Sequence, residues 1–170
     1  SVKKLLEGGV HFGHKKNLWN PEMEKYIYGV KNNVHIINLQ QTAYQLYTAL
    51  ESICTIAANN GRILFVNTKK QSPDVVKAAA EKCGQYYVNH RWLGGMLTNW
   101  STVSSSIKTL KECEEILNSE GANYTKKELL MFARKKEKLE KVIGGIRNLG
   151  NLPDILFIID VKTHAIAVQE

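Results

Sequence analysis

The chain has 170 residues, enough for one domain with an appendage and for a sizeable buried core. Lysine plus arginine number 23 against 16 aspartates plus glutamates, a net charge of +7 with 44% hydrophobic residues. That balance suits a polyanionic partner, and no run approaches the ~18 apolar residues of a membrane span. Residues 2–8 read as a short helix ending at Gly8-Gly9, amphipathic but too short for a signal peptide. Tyr26–Gly29 and Val34–Ile37 flank Lys31-Asn32-Asn33, a turn composition, and predict a β-hairpin. Thr42 opens a helix with Ala43, Leu46, Leu50, Ile53 and Ala57 on one stripe, closed by Asn59-Asn60-Gly61. Arg62–Asn67 is a continuous apolar run, the pattern of a strand covered on both faces. Ser72-Pro73-Asp74 starts the next helix, with Ser72 as cap, running to about Cys83-Gly84. Tyr86–Asn89 is a short strand, Asp154–Asp160 a second buried parallel-type strand, and His164–Val168 the first turns of a covering helix.

Alternating strands and helices, with doubly covered strands, predict a three-layer α/β core with right-handed crossovers. Residues 101–147 break that rhythm. Val103, Ile107, Leu110 and Leu117, then Leu129, Phe132, Leu139, Ile143 and Ile146, trace a narrow seam on either side of residues 119–123. The seam predicts an inserted antiparallel helical hairpin, a coiled coil with a self-contained interface. Sixteen residues per arm would reach roughly 24 Å. Glu114 and Lys136 interrupt the seam where Leu is expected. The expected division is therefore a core of residues 1–100 and 148–170 with an insert of residues 101–147.

Charge is unevenly placed. Residues 1–100 carry 12 basic and 6 acidic side chains, residues 101–147 carry 10 and 7, and residues 148–170 carry 1 and 3. An RNA-facing surface is expected on the first two segments. Two stretches have the composition for it. Residues 86–100 (YYVNHRWLGGMLTNW) and residues 8–21 (GGVHFGHKKNLWNP) interleave aromatics and glycines with Asn, His, Lys and Arg. Such donors suit phosphates and base edges, and glycine lets backbone approach closely. The candidate RNA-binding residues are His11, His14, Lys15, Lys16, Asn17, Trp19, Asn20, Lys69, Lys70, Asn89, Arg91, Trp92, Gly94, Gly95, Thr98 and Asn99. Arg91 can fork to a phosphate or stack on a base, Trp92 can stack or be buried, and Trp100 is core.

Other chemistries find little support. Asn67-Thr68-Lys69-Lys70 follows a strand, where a ligand phosphate would sit in an α/β sheet, but no glycine-rich phosphate loop is present. Lys69 and Lys70 read as phosphate contacts or solvated loop charge. His11 and His14 could share a metal, but a site wants three or four ligands and no Cys lies nearby, so no metal is expected. No carboxylate pair or nucleophile elbow nominates an enzyme, and no cofactor is implied. A Rossmann-type nucleotide-dependent enzyme is the alternative reading, and the missing glycine fingerprint argues against it.

The blocks Gly9–His14, Trp19-Asn20-Pro21, Val34–Leu39, Asn89–Trp100, Gly144-Gly145-Ile146 and Leu152-Pro153-Asp154 resemble, in order and spacing, the bacterial-type small-subunit ribosomal protein two family. The resemblance implies a flavodoxin-like α/β core with a protruding coiled coil. It also implies a structural role without turnover, on the back of the small ribosomal subunit between head and body. The partners it implies are small-subunit rRNA and neighbouring ribosomal proteins, including the large RNA-binding protein one of bacteria. Family members continue past the position of Glu170 with another strand and helix. A further strand is therefore expected along residues 155–160, from a separate chain or a continuation of this one. Abundant Asn, Lys, Ile and Tyr suggest an AT-rich genome; a mitochondrial ribosome is the expected location, with the bacterial cytoplasm as the alternative.

Overall fold

The computed structural model describes residues 2–119 and 124–170. The turn expected at residues 119–123 thus lies, apart from Ser119, outside the described residues. The contacts divide the chain into two compact units, Ser1–Thr55 and Ile56–Glu170.

The first unit holds helix α1 (Val2–Glu7), strands β1 (Phe12–Lys15), β2 (Ile27–Lys31) and β3 (Val34–Ile37), and the start of helix α2 (Leu39–Ala58). The strands form an antiparallel sheet in the order β1-β3-β2. Lys31 pairs with Val34 across Asn32 and Asn33, whose φ values of 51° and 59° are both left-handed. Asparagine tolerates that region better than other side chains, and two such residues make the turn that matches strand twist. The predicted hairpin is present. Helix α2 begins three residues before the expected Thr42, because the Asn38 side chain accepts the Gln40 N–H (3.1 Å) and opens the helix there. Its stripe is not core: Leu39 is the one buried residue of α2, while Leu46 and Leu50 are exposed. The period located a helix, but burial does not follow it.

The second unit is built on strand β4 (Ile63–Val66), flanked by β5 (Tyr86–Val88) and β6 (Ile155–Ile158) in a parallel sheet of order β5-β4-β6. Helices α3 (Pro73–Lys82), α4 (Trp100–Asn118), α5 (Lys126–Ile143) and α6 (Ala165–Gln169) complete it. Parallel strands alternating with helices give the α/β class expected. Two local expectations are corrected. Ser72 does not cap α3 with its side chain; its Oγ instead accepts a hydrogen bond from the buried Asn67 amide (2.7 Å). Strand β6 is half-buried along its length, not sealed on both faces, because it lies at an edge of the sheet.

Leu64, Val66 and Val88 of the sheet share one apolar cluster with Met96, Val103, Ile107, Leu110, Ile143, Ile146 and Leu149. The seam between α4 and α5 is therefore not self-contained: its base is the core of the unit. The far positions Leu117, Leu129 and Phe132 are only half-buried, and the buried Cys113 fills a seam position that spacing alone did not nominate. Glu114 and Lys136, the polar interruptions, meet across the two helices at 3.6 Å, and Arg147 joins Glu114 at 2.5 Å. A Thr125–Glu128 capping box opens α5. Gly144 caps its end, and in the 3-10 turn that follows Gly145 sits close on β5: a Cβ there would run into the Tyr87 carbonyl and ring.

The carboxyl ends of β4 and β6 are tied together. Lys69 Nζ lies 2.6 Å from Asp160 Oδ2, and Thr163 donates to the same carboxylate from its N–H (3.2 Å) and hydroxyl (2.8 Å). Lys69 first, then Thr163, hold the Asp160 carboxyl well below the usual carboxylate range. The Thr68 N–H donates to His164 Nε2 (3.0 Å). A backbone N–H can only donate, so the ring hydrogen is on Nδ1, which gives it to the Asp160 carbonyl (2.9 Å).

Two outcomes are expected. Leu110→Ala should cost about 2–5 kcal/mol in urea unfolding, as for other fully buried leucines, whereas Leu130→Ala on the exposed side of α5 should cost under about 0.5 kcal/mol. Equal costs would detach α4 from the core. Asp160→Asn keeps a residue suited to the left-handed backbone at that position (φ 70°), removes the charge and replaces one acceptor oxygen by an NH2. A carboxyl with a depressed folded pKa stabilises the fold above its unfolded value of about 3.9 and loses that contribution as pH falls. The variant should therefore unfold at lower urea than the parent at pH 7, with the gap closing below about pH 4.

Candidate nucleic-acid interface

The sixteen candidate residues fall into two groups, one in each unit, and the structure sorts them by whether their polar atoms are already used.

In the first unit, His11 precedes β1 and is half-buried, His14 within β1 is exposed, and the register of β1 on β3 shifts between Phe12 and Lys15. Trp19 stacks on His35, a buried residue of β3, with ring centroids 4.8 Å apart at 30°. The stack takes up one face of the indole. Asn20 caps the short 3-10 helix Pro21–Tyr26, accepting the Glu22 N–H at 3.1 Å. Trp19 and Asn20 thus shape the segment. His14, Lys15, Lys16 and Asn17 are exposed. Lys15, Lys16 and Asn17 line a depression of about 420 Å³ with Asn32, Asn33 and Val34. It contains two ammonium groups and three carboxamides, and no carboxylate lines it. The hairpin turn builds half of this wall, and Lys16 is held to it by its N–H on the Asn33 carbonyl (2.9 Å).

In the second unit, the candidates gather at the carboxyl end of the parallel sheet, where α/β folds place ligands. The N–H of buried Asn67 bonds the Val88 carbonyl (2.9 Å), bringing the ends of β4 and β5 together. Lys69 is committed to Asp160, while Lys70 is exposed and outside every ion pair among the described residues. Asn89 donates to the Pro73 carbonyl (3.2 Å) and fixes the start of the loop. Arg91, Gly94, Thr98 and Asn99 are exposed; Asn99 Oδ1 accepts from Ser101 and Thr102 at 3.2 and 2.9 Å. Trp92 is half-buried and packs on the apolar cluster, as does Trp100. Gly94 has open space around it and needs no glycine on steric grounds. Gly95 does: its φ is +82°, and a Cβ would lie 3.1 Å from Asn99 Cβ.

Sequence reasoning missed three members of these constellations. His35 lies under Trp19 with neither ring nitrogen partnered in the protein. His164 orders the Thr68 turn from a distant helix. The Glu170 carboxylate accepts the Gly95 N–H at 2.6 Å, the Leu97 N–H at 2.9 Å and the Trp92 indole N–H at 3.4 Å. Burial opposes its charge, but the donors of Leu97, Gly95, Trp92 and Thr98 outweigh burial and hold its carboxyl below the ordinary value. All three lie far in sequence from their partners or carry no motif.

The chain matches the family described as ribosomal protein S2 over residues 5–170. It is 52% identical over 170 residues to the small ribosomal subunit protein uS2 of Parvibaculum lavamentivorans, covering all of this chain and 67% of the relative. To the protein of the same name from Paramagnetospirillum magneticum it is 53% identical, over all of this chain and 64% of the relative. To that of Azorhizobium caulinodans it is 56% identical, over all of this chain and 51% of the relative. The chain thus spans half to two thirds of these relatives' length. With the α/β unit and the blocks at residues 9–14 and 89–100 in place, the chain belongs to the ribosomal protein S2 family.

Proposed function

We propose that the chain is a structural, non-enzymatic component of the small ribosomal subunit that binds small-subunit rRNA and neighbouring ribosomal proteins. One observation carries the RNA reading: the depression lined by Lys15, Lys16, Asn17, Asn32 and Asn33 offers cations and amides with no carboxylate to compete. The exposed Arg91, Lys70 and Thr98 give the second unit a surface of the same chemistry. Phosphate oxygens take charge-assisted bonds from Lys and Arg, while carboxamides supply directional donors for base edges or sugars. In this reading His14, Lys15, Lys16, Asn17, Lys70, Arg91, Gly94 and Thr98 touch RNA. His11, Trp19, Asn20, Lys69, Asn89, Trp92, Gly95 and Asn99 hold those residues in place.

The finer architecture belongs to the same proposal. Helices α4 and α5 are the arms of the antiparallel hairpin, inserted into a flavodoxin-like core, with the core drawn from residues 1–100 and 148–170. A further strand along β6 also remains a proposal, supported by the unpaired backbone groups that any sheet edge presents. The relatives named above are bacterial, which makes the bacterial alternative at least as well supported as the mitochondrial location expected from the sequence. Nothing in the geometry favours the nucleotide-dependent enzyme.

Replacing Lys15, Lys16 and Arg91 together by Ala should weaken binding to small-subunit rRNA. It should also flatten the dependence of log affinity on log salt by about one unit per lost phosphate contact. Filter binding across a salt series reads both. An unchanged slope would put the RNA face elsewhere, and a salt-independent affinity would reject the electrostatic reading altogether.

A further inference from the structure

We infer that residues 92–98 form an anion-holding nest whose resident anion is the Glu170 carboxylate, and that Glu170 is thereby a positioning residue for the RNA-contacting side chains around it. The inference rests on the RNA reading proposed above.

The loop between β5 and α4 has no strand to pair its backbone. Its N–H groups nevertheless converge: Gly95 and Leu97 donate to the two oxygens of one carboxylate at 2.6 and 2.9 Å, and the Trp92 indole adds a longer bond at 3.4 Å. The Met96 N–H between them turns instead to the Leu93 carbonyl (3.2 Å), so alternate amides and one indole N–H are aimed at the carboxylate, a concave set of donors of the kind that holds an anion. Glycine at position 95 suits this turn, since its φ of +82° is left-handed and a Cβ there would press on Asn99 Cβ at 3.1 Å. From the other side the loop is anchored by Met96, which is buried in the apolar cluster. The chain between these anchors carries Gly94 and Thr98 outward, with Arg91 and Asn99 just beyond. Glu170 is half-buried, and its carboxylate oxygens are engaged by these donors. Removing its charge leaves every exposed side chain chemically intact and frees only the backbone that aims them.

A vacated nest should accept a small carboxylate. A glutamine is a poor substitute, because its amide NH2 would face N–H donors. The test uses the full chain with Glu170→Ala, Glu170→Gln and Arg91→Ala. Binding to small-subunit rRNA is measured at constant ionic strength in sodium chloride and in sodium formate. Glu170→Ala should lose about tenfold or more in affinity, as expected when charge-assisted bonds that order a loop are removed. Formate should restore part of that loss for Glu170→Ala and nothing for Arg91→Ala. Parent-like affinity for Glu170→Ala, or an equal response to formate and chloride, overturns the inference. Should the alanine variant fail to fold, Glu170→Gln carries the comparison: weaker RNA binding at a near-parental melting temperature supports the inference, and unchanged binding overturns it. If the parent itself does not bind rRNA, the RNA reading fails. The nest is then judged by whether formate raises the melting temperature of Glu170→Ala more than that of the parent; no difference overturns it.

Discussion

Burial of strand β4 is the constraint on which the second unit depends. Val66 is fully buried, Ile63 and Leu64 nearly so, and β4 is the strand of the parallel sheet paired on both sides. A central parallel strand must be covered on both faces, because neither face can be left to water without exposing a continuous apolar run. The cover is supplied in part by residues far along the chain. Ile107 and Leu110 of α4 and Ile143 of α5 lie in the same cluster as Leu64 and Val66. Because the strand is fixed, its carboxyl end is fixed too, and from there follow the Asn67 and Thr68 turns, the Lys69–Asp160 pair and the start of the loop after β5.

That dependence explains the division of labour among the polar residues near the sheet. Residues that look suited to RNA in one dimension are spent on internal bonds wherever the chain must turn sharply at the edge of the core. Lys69 neutralises Asp160, Asn89 bonds a carbonyl at the start of α3, and Asn99 organises the first turn of α4. What stays free is one step further out, at Lys70, Arg91 and Thr98. The antiparallel unit follows the same rule, with Trp19 and Asn20 spent on shape and Lys15, Lys16 and Asn17 left outward.

The elements were legible in the sequence because their signals are local. The apolar runs at residues 62–67 and 154–160, the Asn32-Asn33 turn and the period of α4 and α5 each follow from neighbours within a few residues. The family was legible from blocks such as Asn89–Trp100. What spacing could not report was which element covers which. The stripe on α2 has the right period, yet Leu46 and Leu50 are exposed, whereas the base of the α4–α5 seam is core. The site was half legible. Composition marked the two loops, but the partners of those loops are not local. Lys69 meets Asp160 and the loop after β5 meets Glu170 across some 75 to 91 residues of sequence. Lys, Asn and Trp look the same in sequence whether they serve a ligand or a fold.

The packing of α4 and α5 also has a mechanical reading. Helices of 19 and 18 residues are about 27 Å long at 1.5 Å per residue. At one end they are clamped by Val103, Ile107, Ile143 and the close seat of Gly145 on Tyr87, with burial continuing through Leu110 and Cys113; further out, contact thins to half-buried Leu117, Leu129 and Phe132. Such a pair is stiff at its root and compliant toward its far end. The outer turns, held by fewer buried groups, should open at lower free energy than the root, so the loops at the strand ends are tied to the stable part of the unit.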